Sequence, residues 1–207
     1  HGGVDALEYV ENFPNPECGK DDVVVRVKST SLNYHDIFTR NGMPGIKISM
    51  PMICGLDVAG EIAEIGANVS GWNIGERVLI DPRNRVEGGL VGETIHGGLA
   101  EYCRVKEHQL VRIPDGVSFD QASSLPVAYG TAHRMMMTIG QVTSDDKILI
   151  LGASGGVGTG ALLLAKMAGA EVVVCASSDS KMEKLKSLGA DHAMTYMNNE
   201  FHKGVYE

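Results

Sequence analysis

The chain has 207 residues, 43% hydrophobic and 21% charged, with a formal net charge of −8; it suits a soluble globular protein of one large or two small domains with a real core. Its dispersed acids argue against the basic face of a nucleic-acid binder, and no apolar run reaches the ~18 residues of a membrane-spanning helix. The four cysteines, Cys18, Cys54, Cys103 and Cys175, form no CxxC pair, which argues against a disulfide framework or a cysteine-rich zinc knuckle and for reduced thiols in the cytoplasm.

In chain order, short strands are expected first. VVVRV (23–27), GEIAEIG (60–66), ERVLI (76–80) and AEYCRV (100–105) are β-branched, partly alternating and bounded by Gly, Pro, Asn or Asp. Their spacing predicts a small β-barrel or sandwich. Residues 28–42 interrupt this rhythm, and YHDIFTRNG reads as a short helix closed by Asn-Gly. Residues 83–98, rich in glycine and charge, read as a surface loop.

After Pro114 the rhythm changes to helix, turn, helix, with Ser118 as N-cap and Pro126 and Gly130 as punctuation. Met135, Met136 and Met137 are expected to fill core gaps and cover one exposed helix face. KILILG (147–152) reads as a buried parallel strand, GVGTGALLLAKMAGA as an apolar helix, and EVVVCASS as a second buried strand. SKMEKLKSLGA is amphipathic, with Met182, Leu185 and Leu188 at helical spacing, and HAMTY opens a third strand. This β-α-β-α-β order is one half of a doubly wound sheet. The expected organisation is therefore a β-domain over 1–114 and the first half of a Rossmann dinucleotide-binding domain over 115–207. Such a sheet normally has two halves, so the chain reads as a fragment or as one completed from outside.

The strongest chemical motif is LGASGGVGTG (151–160), between a predicted strand and a predicted helix. Ala153 occupies the first glycine position of the fingerprint, followed by Ser154, Gly155, Gly156, Val157 and Gly158. Gly155 lets backbone approach a pyrophosphate, Gly158 lets the helix pack on the strand, and the helix N-terminus supplies N–H groups and a favourable dipole. An NAD site carries an acid about 20 residues further on. Here that position is Ala176 or Ser177, followed by Ser178 and Lys181. Small polar residues and a cation suit a ribose 2′-phosphate, so NADP(H) is the expected cofactor; Asp179 reads as a helix cap.

The segments 55–78, 97–105 (GGLAEYCRV), 125–132 (LPVAYGTA) and 152–158 (GASGGVG) resemble, in order and spacing, the medium-chain dehydrogenase/reductase superfamily. The resemblance implies a GroES-like β-barrel followed by a Rossmann domain, and chains that run well beyond this one. In zinc-dependent alcohol dehydrogenases of this family, Gly-His-Glu stands where this chain has Gly55-Leu56-Asp57, and the other two ligands fall at Asn33 and Ser123. None of Leu56, Asn33 and Ser123 is a usual zinc ligand, and the region of the structural zinc loop (81–98) holds no cysteine. The chain resembles the zinc-free branch, which includes quinone oxidoreductases and enoyl- or acryloyl-CoA reductases, through Asn33-x-x-Asp36 and Gly55-x-Asp57. The resemblance also implies Lys181 and Tyr196 as NADPH contacts, Thr131 beside the nicotinamide, and a homodimer in the full-length form.

Without zinc, hydride can go to the β-carbon of an enone, quinone or enoyl thioester, and the developing enolate then needs hydrogen-bond donors and a proton. Tyr34 is the expected donor, with Asn33 assisting and Asp36 orienting. Asp57 is expected to hold the active-site loop, with a functional carboxylate as the alternative. His35 has the chemistry for proton transfer but neighbours Tyr34 and need not face the same way. Two rivals stand beside this small-molecule reductase: a zinc alcohol dehydrogenase with Asp36, Asp57 or His35 as ligands, and a non-enzymatic family member such as a lens crystallin.

Overall fold

The computed structural model describes residues 1–197 and divides into two compact units, 1–127 and the residues from Ala128 onward.

The first unit is built on a five-stranded antiparallel sheet. Its strands are β1 (Asp22–Ser31), β2 (Asp57–Ile65), β3 (Arg77–Ile80), β4 (Tyr102–Lys106) and β5 (Leu110–Arg112), in the order β4-β1-β2-β3-β5. Val23, Val25, Val58, Ile62, Val78, Ile80, Cys103 and Val105 form its buried core. The register of β1 against β2 shifts twice, between Val24 and Val25 and between Val27 and Ser29; such bulges bend and twist a strand. Helix α1 (Tyr34–Asn41) follows β1 directly, as its sequence predicts.

Two segments of this unit differ from what their sequence predicts. The predicted second strand starts at Gly60, whereas β2 begins three positions earlier in the chain at Asp57, because Ser31, Thr30 and Ser29 pair with Asp57, Val58 and Ala59. Residues 83–98 are not a plain surface loop: Val91 is fully buried in the core, and Asn84 and Glu93 are 4% and 8% exposed. The apolar Val91 anchors the segment, with its N–H donating to Pro82 O at 2.8 Å.

Helix α2 (Phe119–Ser123) starts at Ser118, whose Oγ accepts from Gln121 N at 3.1 Å while Gln121 Oε1 accepts from Ser118 N at 2.9 Å. This reciprocal cap satisfies two otherwise free donors. Ala122 packs with Ala59 and Ile113 on the first unit, and the Arg77 guanidinium lies 4.7 Å from the Phe119 ring centre. Helix α2 thus belongs with the first compact unit, which runs to Val127.

The second unit holds α3 (Ala128–His133), continued by a π-helical turn (Arg134–Ile139), and then β6 (Lys147–Ile150), α4 (Gly156–Met167), β7 (Glu171–Ala176), α5 (Asp179–Ser187) and β8 (His192–Thr195). The three strands run parallel in the order β6-β7-β8. The central strand is the driest: Val172, Val174, Cys175 and Ala176 are fully buried, against Leu162 of α4 and Leu185 of α5. Met136 is buried, Met137 half-buried against the core and Met135 exposed, as the methionine run predicts. Strand β6 is less covered than its apolar run suggests: Ile148 and Ile150 face the core, but Leu149 is 41% exposed, and Leu151, just past the strand, 60%. It is the edge strand among the described residues, and α4 covers one face of it. Leu188 does not complete the apolar face of α5; it is the residue after the helix and is 41% exposed.

All four thiols are free. Burial pushes the Cys103 thiol up to about 12 and raises those of Cys54, Cys175 and Cys18.

Candidate functional site

Two constellations carry chemistry, one in each unit. In the first unit, the chain leaves β1 at Ser31 and enters α1 at Tyr34, with Asn33 as the extended cap residue. Asn33 N donates to Asp36 Oδ2 at 2.7 Å, so the carboxylate reaches back over the first turn. The other oxygen of Asp36 accepts from Gly55 N at 2.9 Å. Gly55 has φ +98°, and a Cβ there would stand 2.8 Å from Leu99 N. Both the backbone conformation and the close approach require glycine.

Asp57, two residues on, is 1% exposed. Its Oδ2 accepts from Ser31 Oγ at 2.6 Å and from Asn33 Nδ2 at 2.8 Å, and its Oδ1 accepts from Val127 N at 2.9 Å. One carboxylate thus ties together the end of β1, the start of α1 and the segment after α2. Burial raises its pKa above the ordinary carboxylate value, opposed by the hydrogen bonds from Ser31, Asn33 and Val127.

The three positions that hold metal in zinc-dependent relatives are occupied otherwise. Asn33 donates to Asp57. Leu56 is 2% exposed. Ser123 Oγ lies 2.9 Å from Ser29 Oγ. Asn33, Leu56 and Ser123 offer no soft or anionic ligand, so these positions do not fit zinc. Among the described residues no three His, Cys, Asp or Glu side chains converge as a metal shell.

Tyr34 and His35 open α1 and differ in setting. Tyr34 is 77% exposed, its ring 6.2 Å from that of Phe38, and its hydroxyl has no hydrogen-bond partner among the described residues. His35 Nε2 lies 2.6 Å from Glu93 Oε2. The structure therefore joins Asn33, Asp36 and Asp57 in one network and leaves Tyr34 outside it. Ser31, Glu93 and the Val127 N–H escaped the sequence reading. The strand register that pairs Ser31 with Asp57 is a signal that could have found the first. Nothing local in the sequence marks Glu93.

The second constellation is the glycine loop at the carboxyl end of β6. Gly152 has φ +61°, Gly155 N donates to Gly152 O at 3.0 Å, and α4 begins at Gly156. Ala153 is fully buried, and its N–H donates to Cys175 O at 3.1 Å, which pins the loop to β7. A Cβ at Gly158 would stand 2.6 Å from Ala153 Cα, so the helix can lie this close only with glycine there. A Cβ at Gly155 would meet nothing nearer than Gly152 O at 3.5 Å, and Ser154, Gly155 and Gly156 are exposed. The loop is thus tight inward and open outward, with the free N–H groups of the first turn of α4, including those of Val157 and Gly158, at its mouth. These features fit a dinucleotide pyrophosphate.

At the ends of the next two strands, Lys181 Nζ donates to Ser177 Oγ at 3.0 Å, and Tyr196 N donates to Ala176 O at 3.4 Å. Ser178, not Asp179, is the cap residue of α5, with no side-chain capping bond; its Oγ lies 3.2 Å from Ser180 Oγ. Ser177, Ser178, Lys181 and Tyr196 therefore gather with the glycine loop at the carboxyl edge of the sheet, where open α/β sheets bind ligands. Thr131 is exposed on α3, which packs on α4 across Gly160; a Cβ at Gly160 would lie 3.1 Å from Ala132 Cβ.

Comparison with known families matches residues 19–115 to the alcohol dehydrogenase GroES-like domain and 156–206 to the zinc-binding dehydrogenase family. The chain is 36% identical over 203 residues to the 2-methylene-furan-3-one reductase of Solanum lycopersicum, covering 97% of this chain and 51% of that one. It is 35% identical over 198 residues to the chloroplastic NADPH-dependent alkenal/one oxidoreductase of Arabidopsis thaliana, covering 95% and 50%. Among solved structures, an NAD-dependent alcohol dehydrogenase superposes with a TM-score of 0.91 at 33% identity, covering 99% of this chain and 64% of that one. The chain spans about half the length of these two reductases.

Proposed function

Because this chain belongs to the medium-chain dehydrogenase/reductase superfamily, we propose that it forms part of a zinc-independent, NADPH-dependent reductase of activated C=C bonds (enones or enoyl thioesters) or quinones. The observation that carries this reading is the pairing of a fully formed glycine loop with metal positions given over to Asn33, Leu56 and Ser123. When bound, the dinucleotide supplies a hydride. The free N–H groups at the head of α4 hold its pyrophosphate, with Ser154, Gly155, Gly156, Val157 and Gly158 as the cradle and Thr131 lining the nicotinamide end.

Ser177, Ser178, Lys181 and Tyr196 receive the ribose 2′-phosphate. The Lys181–Ser177 bond supports this reading, because it presents an ammonium and a hydroxyl together where an NAD site has an acid. Lys181→Ala is expected to weaken NADPH binding roughly 10-fold or more, the scale of one lost charge-assisted hydrogen bond, and to leave NADH binding unchanged. Fluorescence titration of both cofactors checks this; an equal loss for the two would show that Lys181 does not read the 2′-phosphate.

On the substrate side, the Tyr34 hydroxyl donates to the carbonyl oxygen as charge develops there. Asn33, Asp36 and Asp57 act behind it by fixing the start of α1 against the turn at Gly55. In the same reading the full-length protein is a cytoplasmic homodimer working on a small molecule. NADPH oxidation across a panel of enones, quinones and enoyl-CoA esters, with metal analysis of the same sample, tests the whole. Stoichiometric zinc with alcohol oxidation would replace it with the alcohol dehydrogenase reading, which the 0.91 superposition keeps in view.

A further inference from the structure

We propose that His35, held by Glu93, is the acid that delivers the proton to the substrate after hydride transfer; this rests on the reductase reading above. The geometry is that of an oriented imidazole. Nε2 lies 2.6 Å from Glu93 Oε2, and a carboxylate only accepts, so Nε2 carries a proton and the tautomer is set. Nδ1 has no hydrogen-bond partner among the described residues. The side chain of His35 is 26% exposed and that of Glu93 10%. The ring is therefore held at Nε2 and is partly exposed as a whole.

Glu93 is a rigid support. Its N–H donates to Leu90 O at 3.1 Å, and Gly92 N donates to Ile95 O at 2.8 Å. Its neighbour Val91 is fully buried, and a Cβ at Gly92 would stand 2.9 Å from Gly55 backbone. The turn that carries Glu93 is thus locked against the same Gly55 turn that Asp36 holds from the other side. A buried acid on a locked turn, with its oxygen on a ring nitrogen at the head of α1, is more than charge balance at a surface requires. It resembles a base and the group that orients it.

The form of His35 that donates carries a proton on both ring nitrogens. Its Nδ1–H bond breaks and a new C–H bond forms at the substrate α-carbon, using the electron pair of the enolate. Neutral imidazole remains with Nε2–H donating to Glu93, and solvent returns a proton to Nδ1. The hydride that precedes this step would be supplied by the dinucleotide held at the glycine loop. Tyr34 and His35 then divide the work, one stabilising the oxygen and one supplying the proton.

The test is reduction of an α-substituted enone in D2O by the gene product carrying this sequence, loaded with NADPH. In the parent protein, deuterium enters one face of the α-carbon. His35→Gln keeps an N–H for Glu93 but cannot transfer a proton; it is expected to lower kcat 10²- to 10⁴-fold, to scramble the deuterated face and to leave NADPH affinity and melting temperature unchanged. His35→Ala is expected to regain rate with added imidazole, which a packing role would not allow. Glu93→Gln is expected to lower kcat with KM unchanged, and Glu93→Asp to recover part of it. Parent-like rate and face selectivity in His35→Gln, or no rescue of His35→Ala, overturns the inference and leaves the reductase reading. No reduction of any panel substrate by the parent overturns both.

Discussion

Asp57→Ala is expected to destabilise the first unit by about 3–5 kcal/mol, because three donors lose their acceptor at once. Ser31 Oγ, Asn33 Nδ2 and Val127 N all converge on this carboxylate, which is 1% exposed, so water cannot readily replace it. Trp72 is the chain's one tryptophan and lies in this unit, 4.1 Å beneath the Arg112 guanidinium, so its fluorescence reports the transition without interference from the second unit. A urea midpoint within error of the parent would show that the network is ornamental.

Asp57→Asn adds a test of the electrostatics. Burial raises the pKa of Asp57 in the folded state, so the group binds its proton more tightly folded than unfolded. Its contribution is present below the ordinary carboxylate value, about 3.9, and is lost as pH rises through the folded value. The stability deficit of Asp57→Asn is therefore expected to shrink as pH rises from the ordinary carboxylate value through the raised folded one. A deficit that widens with pH would mean that the three hydrogen bonds outweigh desolvation.

Gly158→Val is expected to abolish dinucleotide binding and to destabilise the second unit by about 1–3 kcal/mol or more, the range for overpacking. Its Cβ would sit 2.6 Å from Ala153 Cα, and backbone cannot yield as a flexible side chain can. Ala153 is itself fully buried and bonded to Cys175 O, so the loop has nowhere to retreat. Gly155→Ala makes the contrast. Its Cβ meets only Gly152 O at 3.5 Å, so the fold should survive while NADPH affinity falls roughly 10- to 100-fold, because the methyl occupies the path of an approaching phosphate. Circular dichroism and NADPH titration separate the two. Equal melting temperatures with equal loss of affinity would remove the distinction between a packing glycine and a ligand glycine.

Local pattern carried most of the secondary structure. The apolar runs at 147–150 and 171–176 are strands, Ser118 caps α2, and α1 lies where YHDIFTRNG predicts it. The pattern failed where tertiary placement decides. Leu149 has a strand's apolarity but no cover on its side of an edge strand, and Leu188 falls one residue outside the helix that would have buried it. Val91 and Glu93 are buried in a segment whose glycine and charge content reads as solvent-exposed. In the candidate site, Asn33, Asp36 and Asp57 are recognisable as a spaced motif, but their partners are not. His35 and Glu93 are brought together across 58 positions, and no periodicity encodes that. The glycine loop was legible because each of its residues answers a local demand.

The state of the thiols bears on what such a protein can survive. Enones and related acceptors alkylate sulfur, and it is the thiolate that reacts. On the proposed reading, the protein would meet such acceptors at every turnover. Here Cys103 and Cys175 are sealed inside the two units, and burial holds all four thiols above their ordinary value, Cys103 at about 12. Near neutrality the sulfurs are almost wholly protonated, so the chain presents little nucleophile to an electrophilic metabolite.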